Sequence, residues 1–188
     1  VKVTAKKAGK KVSKSLKATI TVKNPSLTLK AANEVAVGAK ETVKATVKPA
    51  STKVVFSSSD ETIATVDAAT GEVTGVKAGE VTITAKAGKT TKTVKMAVKD
   101  VILKDVKQAT TTKLVATIAG NTANVKASDI VITNTYSKAN IAVKSVSVDA
   151  KDKTQVTVET YVAMNDGKDY TVTLADVTKT ITATDGKI

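Results

Sequence analysis

The fold is decided by the stretch GEVTGVKAGEVTITA, residues 71–85. In its second half Val81, Ile83 and Ala85 alternate with polar residues, so a strand built from it has one apolar face and one polar face. Glycines at 71, 75 and 79 fall where the chain must reverse, because glycine accepts positive φ angles at the least cost. The stretch predicts antiparallel strands joined by tight turns and buried on one face.

The same two-residue alternation continues along the rest of the chain. It occurs at residues 1–5, 16–22, 43–47, 81–85, 94–98 and 170–174. No segment keeps apolar residues at helical spacing for three turns, although residues 127–130 suit a short turn capped by Ser128 or Asp129. The prediction is an all-β chain whose turn signals are spaced as in β-sandwiches.

A repeat divides the first half of the chain. Residues 1–6, VKVTAK, match residues 81–86, VTITAK, at an offset of 80 positions, about the length of one sandwich domain. We therefore expect residues 1–26 to be the last hairpin of a preceding module, residues 27–100 a complete sandwich and residues 101–188 a second, divergent one. The chain is accordingly expected to be an internal piece of a longer protein.

Residues 27–100 resemble the group 2 bacterial immunoglobulin-like domain over nearly their whole length. The matching segments are VG at 37–38, PA at 49–50, VFSSSD at 55–60, IATVD at 63–67 and the stretch at 71–85. Phe56 stands where this family usually has Trp. The side chains expected to point inward are Phe56, Ile63, Val66, Val73, Val76, Val81 and Ile83. These positions specify a fold and indicate no ligand.

Residues 101–188 lack this signature and look like the different immunoglobulin-like modules of Gram-positive surface-layer and cell-wall proteins. The matching segments are VKSVSV at 143–148, TQVTV at 154–158 and GKDYTVTL at 167–174. Tyr170 follows a turn and opens a strand, which predicts a buried aromatic anchor at a corner of the sandwich. The two resemblances together imply tandem immunoglobulin-like antiparallel β-sandwiches.

The composition excludes several kinds of chemistry. The chain has no His, Cys or Trp, and all 30 of its basic residues are Lys, so it has no imidazole base, thiol nucleophile, Cys/His zinc site or arginine clamp. The net charge is +13 but only 2% of residues are aromatic; without Arg and stacking rings we predict no specific nucleic-acid binding. No apolar run approaches the roughly 20 residues that cross a bilayer, so we predict no membrane insertion.

Acidic residues are the remaining candidates for a reactive site. Glycoside hydrolysis needs two carboxylates at a defined separation, one with a raised pKa, and the sequence indicates neither. Residues 165–169, NDGKD, are the best calcium candidate because calcium prefers oxygen ligands, but Lys168 opposes the ion. The carboxylate pairs in predicted turns are Asp60 with Glu61, Asp149 with Asp152, and Asp166 with Asp169.

A Lys to Asn isopeptide crosslink, found in some Gram-positive surface sandwiches, is a further alternative. In those families it lies in an aromatic-rich surround that this chain lacks. We therefore predict no enzyme activity, no catalytic, cofactor-binding or metal site, and no cofactor, with calcium as the alternative left open.

The predicted function is that of a structural module of an extracellular bacterial surface protein, with a surface-layer protein as the expected kind. Residues 100–103, DVIL, contain no Gly, Ser or Pro, so the two modules are expected to form a stiff rod that spaces other parts of the chain and offers lattice or cell-wall contacts. Two alternatives stay open. One is an adhesin or carbohydrate-binding module, favoured if Tyr136 and Tyr161 share an exposed face; the other is an accessory region of a secreted polysaccharide-degrading enzyme.

Positive charge is concentrated at the start of the chain. Residues 1–26 carry 8 Lys and no acid, whereas residues 27–100 have a net charge of +3 and residues 101–188 of +2. Anionic cell-wall polymer or an acidic neighbouring subunit is the expected partner of this basic segment. The alternating apolar residues Leu16, Ala18, Ile20 and Val22 predict pairing with a second copy or with the edge of the middle module.

Overall fold

The computed structural model describes residues 3–7, 10–14 and 24–185, and side chains are described from residue 24 onward. Almost all regular structure is β, as predicted, with 3₁₀ turns at Thr122–Asn124 and Ala127–Asp129. The strands, in chain order, are β1 Val3–Lys7, β2 Lys10–Lys14, β3 Ser26–Lys30, β4 Glu34–Ala36, β5 Lys40–Thr42, β6 Lys44–Lys48, β7 Val54–Ser58, β8 Ala64–Val66, β9 Glu72–Gly75, β10 Gly79–Ala87, β11 Thr90–Lys99, β12 Val101–Thr110, β13 Lys113–Gly120, β14 Ile130–Asn134, β15 Asn140–Ile141, β16 Val143–Val148, β17 Gln155–Thr160, β18 Asp169–Leu174 and β19 Val177–Thr182.

Alternation sets which face of each strand is buried. In β10, Val81, Ile83 and Ala85 are buried, while the residues between them face outward to a greater degree. The short turn predicted near residues 127–130 is the second 3₁₀ turn, where Asp129 Oδ2 accepts the backbone N–H of Lys126 at 2.9 Å. Local pattern and observed burial therefore agree in β10.

The first sandwich is formed by β3 to β11. One sheet has the order β4-β11-β10-β7; the others are β5-β9-β8 and the pair β3-β6. Their inward faces share one aliphatic core built around Phe56 and Ile83. One feature differs from the antiparallel pattern predicted: β4 pairs with β11 in parallel. Between β3 and β4 the chain leaves the β3-β6 pair and joins the other sheet, where β4 runs in the same direction as β11.

The second sandwich is formed by β12 to β19. Its sheets have the orders β12-β13-β17-β16 and β15-β14-β18-β19, and all their pairings are antiparallel. The core between them is separate from the first and includes Leu114, Ile132 and Tyr170. The structure thus has two stacked-sheet units with their own cores, as the tandem immunoglobulin-like prediction requires.

Six of the seven side chains predicted to point inward lie in or against the first core. Phe56, Val73, Val81 and Ile83 are buried, and the partly buried Ile63 and Val66 pack on them. The prediction for Val76 is wrong, because its side chain is 46% exposed. It lies just beyond the end of β9, and its backbone N–H donates to the Ile63 carbonyl oxygen at 2.8 Å. This hydrogen bond holds the Val76 backbone in place, but the Val76 side chain is exposed because the inward and outward alternation of β9 has already ended.

The beginning of the chain contains a two-stranded hairpin. β1 and β2 pair antiparallel, with Val3 opposite Lys14 and Lys7 opposite Lys10. The apolar positions predicted to pair with another edge, Leu16, Ala18, Ile20 and Val22, lie outside the described residues.

Candidate functional site

The junction between the two sandwiches is formed by a single residue. β11 ends at Lys99 and β12 begins at Val101, so only Asp100 lies between them. The N–H of Val37 donates to the Lys99 carbonyl oxygen at 2.8 Å, and the N–H of Asn121 donates to the Asp100 carbonyl oxygen at 3.1 Å. Both sandwiches therefore hold the connecting backbone directly.

Gly120 makes this close approach sterically possible. A Cβ atom at this position would lie 2.1 Å from the Asp100 carbonyl oxygen, and the residue has a φ of +107°. Any side chain would therefore push β13 away from the linker. The sequence indicates only a turn at Gly120-Asn121; the contact with Asp100 requires the tertiary structure.

An apolar side chain occupies one side of the junction. Ile102 is only 6% exposed, although its neighbours Val101 and Leu103 are the residues that pack in the second core. Ile102 points the other way along the strand and, with Ala32 and Asn33, lines a crevice between the two sandwiches. The unbroken apolar run at residues 101–103 indicates that both faces of this strand are buried, since a strand with one solvent-exposed face would have a polar residue at 102.

An ionic cluster occupies another part of the junction. Lys99 Nζ lies 3.3 Å from Glu34 Oε1 of its own sandwich and also pairs with Asp176 Oδ2, in the turn between β18 and β19. The Lys99 side chain is 22% exposed. Its hydrogen bond to Asp176, and then that to Glu34, raise the pKa of Lys99, and the same bond to Lys99 lowers the pKa of Asp176. Both groups are thus charged at neutral pH.

A cleft of about 590 Å³ adjoins the ionic cluster. Both sandwiches contribute to it, and it combines apolar walls with amide and carboxylate groups. Its lining residues are Ala78, Val98, Lys99, Asp100, Val101, Asn121, Asn124, Val125, Asp129, Leu174 and Ala175.

Three of the carboxylates singled out in the sequence serve as turn caps: Asp60, Asp149 and Asp152. Asp60 Oδ1 accepts the Thr62 hydroxyl at 2.6 Å and the Thr62 N–H at 2.9 Å. Asp152 Oδ1 is bonded in the same way by Thr154, and Asp149 accepts the N–H of Asp152 at 2.8 Å. These hydrogen bonds lower the pKa of each of the three carboxyl groups. A general acid needs the opposite shift.

The calcium candidate at residues 165–169 is a turn with other partners. Asp169 Oδ1 accepts the Thr182 hydroxyl at 2.6 Å, and the N–H of Asn165 donates to the Tyr170 hydroxyl at 2.8 Å. Between residues 24 and 185, no group of three or more acidic side chains is arranged to hold a metal ion. The absence of a cofactor stays a prediction.

The isopeptide alternative requires a lysine in an apolar interior. In the part of the chain whose side chains are described, the buried polar residues are Thr122 and Thr160, and no lysine is buried. Lys99 and Lys179 are the only lysines in that part with intermediate exposure. The described lysines therefore do not have the surroundings that such a crosslink needs.

The three tyrosines have two different environments. Tyr170 is 1% exposed and its hydroxyl accepts the Asn165 N–H, so the predicted buried anchor is confirmed. Tyr136 is 88% and Tyr161 68% exposed. Tyr136 follows the end of β14 and Tyr161 follows the end of β17, so both lie at the end of the second sandwich opposite the junction. Lys168 Nζ is 5.8 Å from the centre of the Tyr136 ring.

Solved structures that resemble this chain include an intimin and an S-layer protein. An intimin mutant of EHEC O157:H7 is 22% identical over 46% of this chain and 51% of its own, with a TM-score of 0.34. Domains 5–6 of the S-layer protein SbsC are 23% identical over 87% of this chain and 100% of theirs, with a TM-score of 0.32. No curated protein matches the chain. The chain spans about half of the intimin chain that it resembles.

Among the residues that the structure describes, no helix is long and apolar enough to cross a membrane.

A family model covers most of the first sandwich: residues 18–98 match the bacterial Ig-like domain (group 2). The match begins at residue 18, ahead of the expected start at residue 27, and its end is one residue before the last residue of β11. The resemblance to this family that was predicted for the first sandwich is thus confirmed by the match over residues 18–98.

Proposed function

We propose that this chain is a structural module of an extracellular bacterial surface protein, of the surface-layer kind, which holds other parts of its parent protein at a fixed spacing. It would act at the cell surface or in the cell wall and would have no catalytic role. The family of residues 18–98 supports a bacterial Ig-like building block. The turn-capping roles of Asp60, Asp149 and Asp152 also support a non-catalytic module.

The observation that carries the proposal is the one-residue linker. A flexible tether between domains needs several free residues rich in Gly or Ser. Here, the carbonyl groups of both Lys99 and Asp100 are hydrogen-bonded to backbone N–H groups of the sandwiches on either side. Burial of Ile102 at the same junction adds apolar contact. The two sandwiches are therefore suited to transmit position and force as one rod.

Insertion of a short Gly/Ser segment after Asp100 tests this role. We expect the insertion to broaden the distribution of dimensions seen by small-angle X-ray scattering, while each sandwich stays folded. The matched control is the same insertion after Ala150, an exposed residue in the turn between β16 and β17. Equal scattering profiles for the two insertions would contradict the rigid spacer.

The cellular part of the proposal needs a separate test. Protease treatment of intact cells of the source bacterium is expected to release fragments of this chain, whereas an intracellular protein stays protected until lysis. Residues 1–26 carry the concentrated positive charge, so binding to purified anionic wall polymer should be salt-sensitive and should weaken when residues 1–24 are deleted. Protection in intact cells would exclude a surface location.

Glycan binding is a second candidate, favoured by the exposure of Tyr136 and Tyr161 at one end of the second sandwich. Exposed aromatic rings supply the apolar faces on which sugars stack. Cosedimentation of Tyr136→Ala and Tyr161→Ala with wall polysaccharide tests it, and Val131→Ala, at an exposed residue on a sheet face, is the control. Unchanged binding in both tyrosine variants would remove this candidate.

A further inference from the structure

We propose that the junction is a two-point clamp, in which Ile102 is the permanent contact and the Lys99–Asp176 pair is a releasable contact that sets the angle between the sandwiches. Breaking the ionic contact would leave the sandwiches joined at Asp100 and Ile102 and free to swing about that line. The inference deepens the proposed spacer function and rests on it for its biological meaning. Its geometry depends only on residues of this chain.

The two contacts lie in different crevices beside the linker. Ile102 lines one with Ala32 and Asn33, whereas Lys99 lines the larger cleft. Both linking hydrogen bonds involve consecutive residues, Lys99 and Asp100. The backbone of Lys99 and Asp100 can act as a hinge between the sandwiches. Two further contacts, away from this hinge, are needed to hold the angle between the sandwiches at one value.

The turn that carries Asp176 has an unusual backbone. Ala175 has a φ of +52°, in the left-handed region that side chains with a Cβ rarely adopt. It is one of the two residues between the paired positions Leu174 and Val177, and it lines the cleft beside Lys99. Such strained residues are found where the surrounding structure holds them. A positive φ at the first residue of a two-residue hairpin loop is what the turn requires, and this turn carries Asp176 into contact with Lys99.

Lys99 differs from an ordinary surface lysine because two carboxylates, one from each sandwich, contact it. The Lys99 side chain is 22% exposed, whereas the Asp176 side chain is 65% exposed, so salt can reach the pair from the Asp176 side. The Lys40–Glu72 pair, with side chains 61% and 44% exposed, lies within the first sandwich and does not cross the junction. Salt screens charge pairs but leaves apolar contacts in place. High salt should therefore release Asp176 while Ile102 stays buried.

Interdomain distance measurements on the full chain test the clamp. Because the protein has no cysteine, spin labels can be attached at Thr46→Cys and Thr180→Cys, exposed positions in different sandwiches. In Asp176→Asn we expect the ratio of clamped to open molecules to fall about two- to fivefold, the size expected for one solvent-accessible ion pair. Wild-type protein in high salt should show the same broadening.

Three variants separate the clamp from other effects. Glu72→Gln removes the Lys40 pair and should leave the distance distribution unchanged; Asp176→Glu keeps the charge and should restore the narrow distribution. Lys99→Met should behave like Asp176→Asn, and circular dichroism should show both variants folded. An unchanged distribution in Asp176→Asn, or equal broadening in Glu72→Gln, would overturn the proposal. These results are independent of the cellular tests, so a failed clamp and a failed surface role are distinguishable.

Discussion

The two sandwiches each bury one aromatic ring, but they hold it by different means. Phe56 in the first core lies against the bare backbone of Gly71, where an added Cβ would be 2.9 Å from the end of the ring. Tyr170 in the second core is fixed by the hydrogen bond that its hydroxyl accepts from Asn165. One ring is positioned by steric fit and the other by a polar bond.

This difference shows how a chain with very few aromatic residues can fill two similar cores. Aliphatic side chains supply most of the buried surface in both, and a single ring fills the largest remaining space in each. A steric fit depends on neighbouring backbone having no side chain, whereas a polar anchor depends on a loop N–H. The two cores should therefore respond differently to matched substitutions. The expected effects are given below from the largest to the smallest.

Phe56→Ala should have the largest effect, about 3–5 kcal/mol lost from the unfolding free energy of the first sandwich. All three tyrosines lie in the second sandwich, at 136, 161 and 170, so tyrosine fluorescence reports on that sandwich alone and circular dichroism reports on both. In urea, the first sandwich of the variant should unfold at a lower urea concentration, which circular dichroism detects. The midpoint of the tyrosine fluorescence transition, which reports on the second sandwich, should not change. Tyr136→Ala, at an exposed ring, is the control; coincident shifts of both signals in Phe56→Ala would mean that the cores are not independent.

Gly71→Ala should cost the first sandwich about 2–4 kcal/mol, because the new Cβ combines backbone strain with overpacking. The added atom would lie 2.6 Å from the Val43 carbonyl oxygen, at a φ of +74°. Gly167→Ala is a close match in the loop before Tyr170, with a φ of +66° but no atom within 4 Å. It should cost the second sandwich only about 1 kcal/mol. Equal costs would show that the close contacts of this position with Val43 and Phe56 do not matter.

Tyr170→Phe should lower the unfolding free energy of the second sandwich by about 1 kcal/mol. The ring and its packing are kept, but the Asn165 N–H loses its acceptor at 2.8 Å. The fluorescence of Tyr136 and Tyr161 remains available to follow unfolding. A matched substitution at Tyr161, whose ring is exposed, should leave stability unchanged. If Tyr170→Phe is neutral, packing alone holds the ring in the second core too.

Acid should weaken both sandwiches through turn carboxylates, with the smallest effect per residue. Hydrogen bonds from the Thr70 N–H and hydroxyl lower the pKa of Asp67 in the first sandwich, and those from the Thr154 hydroxyl and N–H lower the pKa of Asp152 in the second. A carboxyl whose pKa is lowered on folding stabilises the protein above its unfolded pKa and loses this contribution as pH falls through the folded value.

The loss should therefore begin below about pH 4. Asp67→Asn should flatten the acid dependence of the first unfolding transition only, and Asp152→Asn that of the second only. Urea titrations between about pH 5 and pH 2 measure both. A flattening that appears in the other sandwich would contradict the assignment of each turn to its own unit.

The two-residue alternation of apolar and polar side chains predicted most of the strands and most of the first core. Such alternation arises wherever one face of a strand is buried and the other is exposed to water. It failed at Val76, where the strand had already ended, and it did not identify the parallel pairing of β4 with β11. Pairing direction depends on where the chain crosses between sheets, and no short segment contains that information. The buried ring of Tyr170 was predicted from a turn and a strand start, but its partner Asn165 was not.

The amino-acid sequence by itself determined the all-β class, the absence of His and Cys chemistry, and the lack of flexible residues at positions 100–103. These follow from residue types and from local periodicity. Only the tertiary structure decided that Ile102 is covered, that Gly120 must lack a side chain, and that Asp176 meets Lys99. Lys99 and Asp176 are separated by 77 positions in the chain, and their encounter depends on how two complete sandwiches meet across one residue.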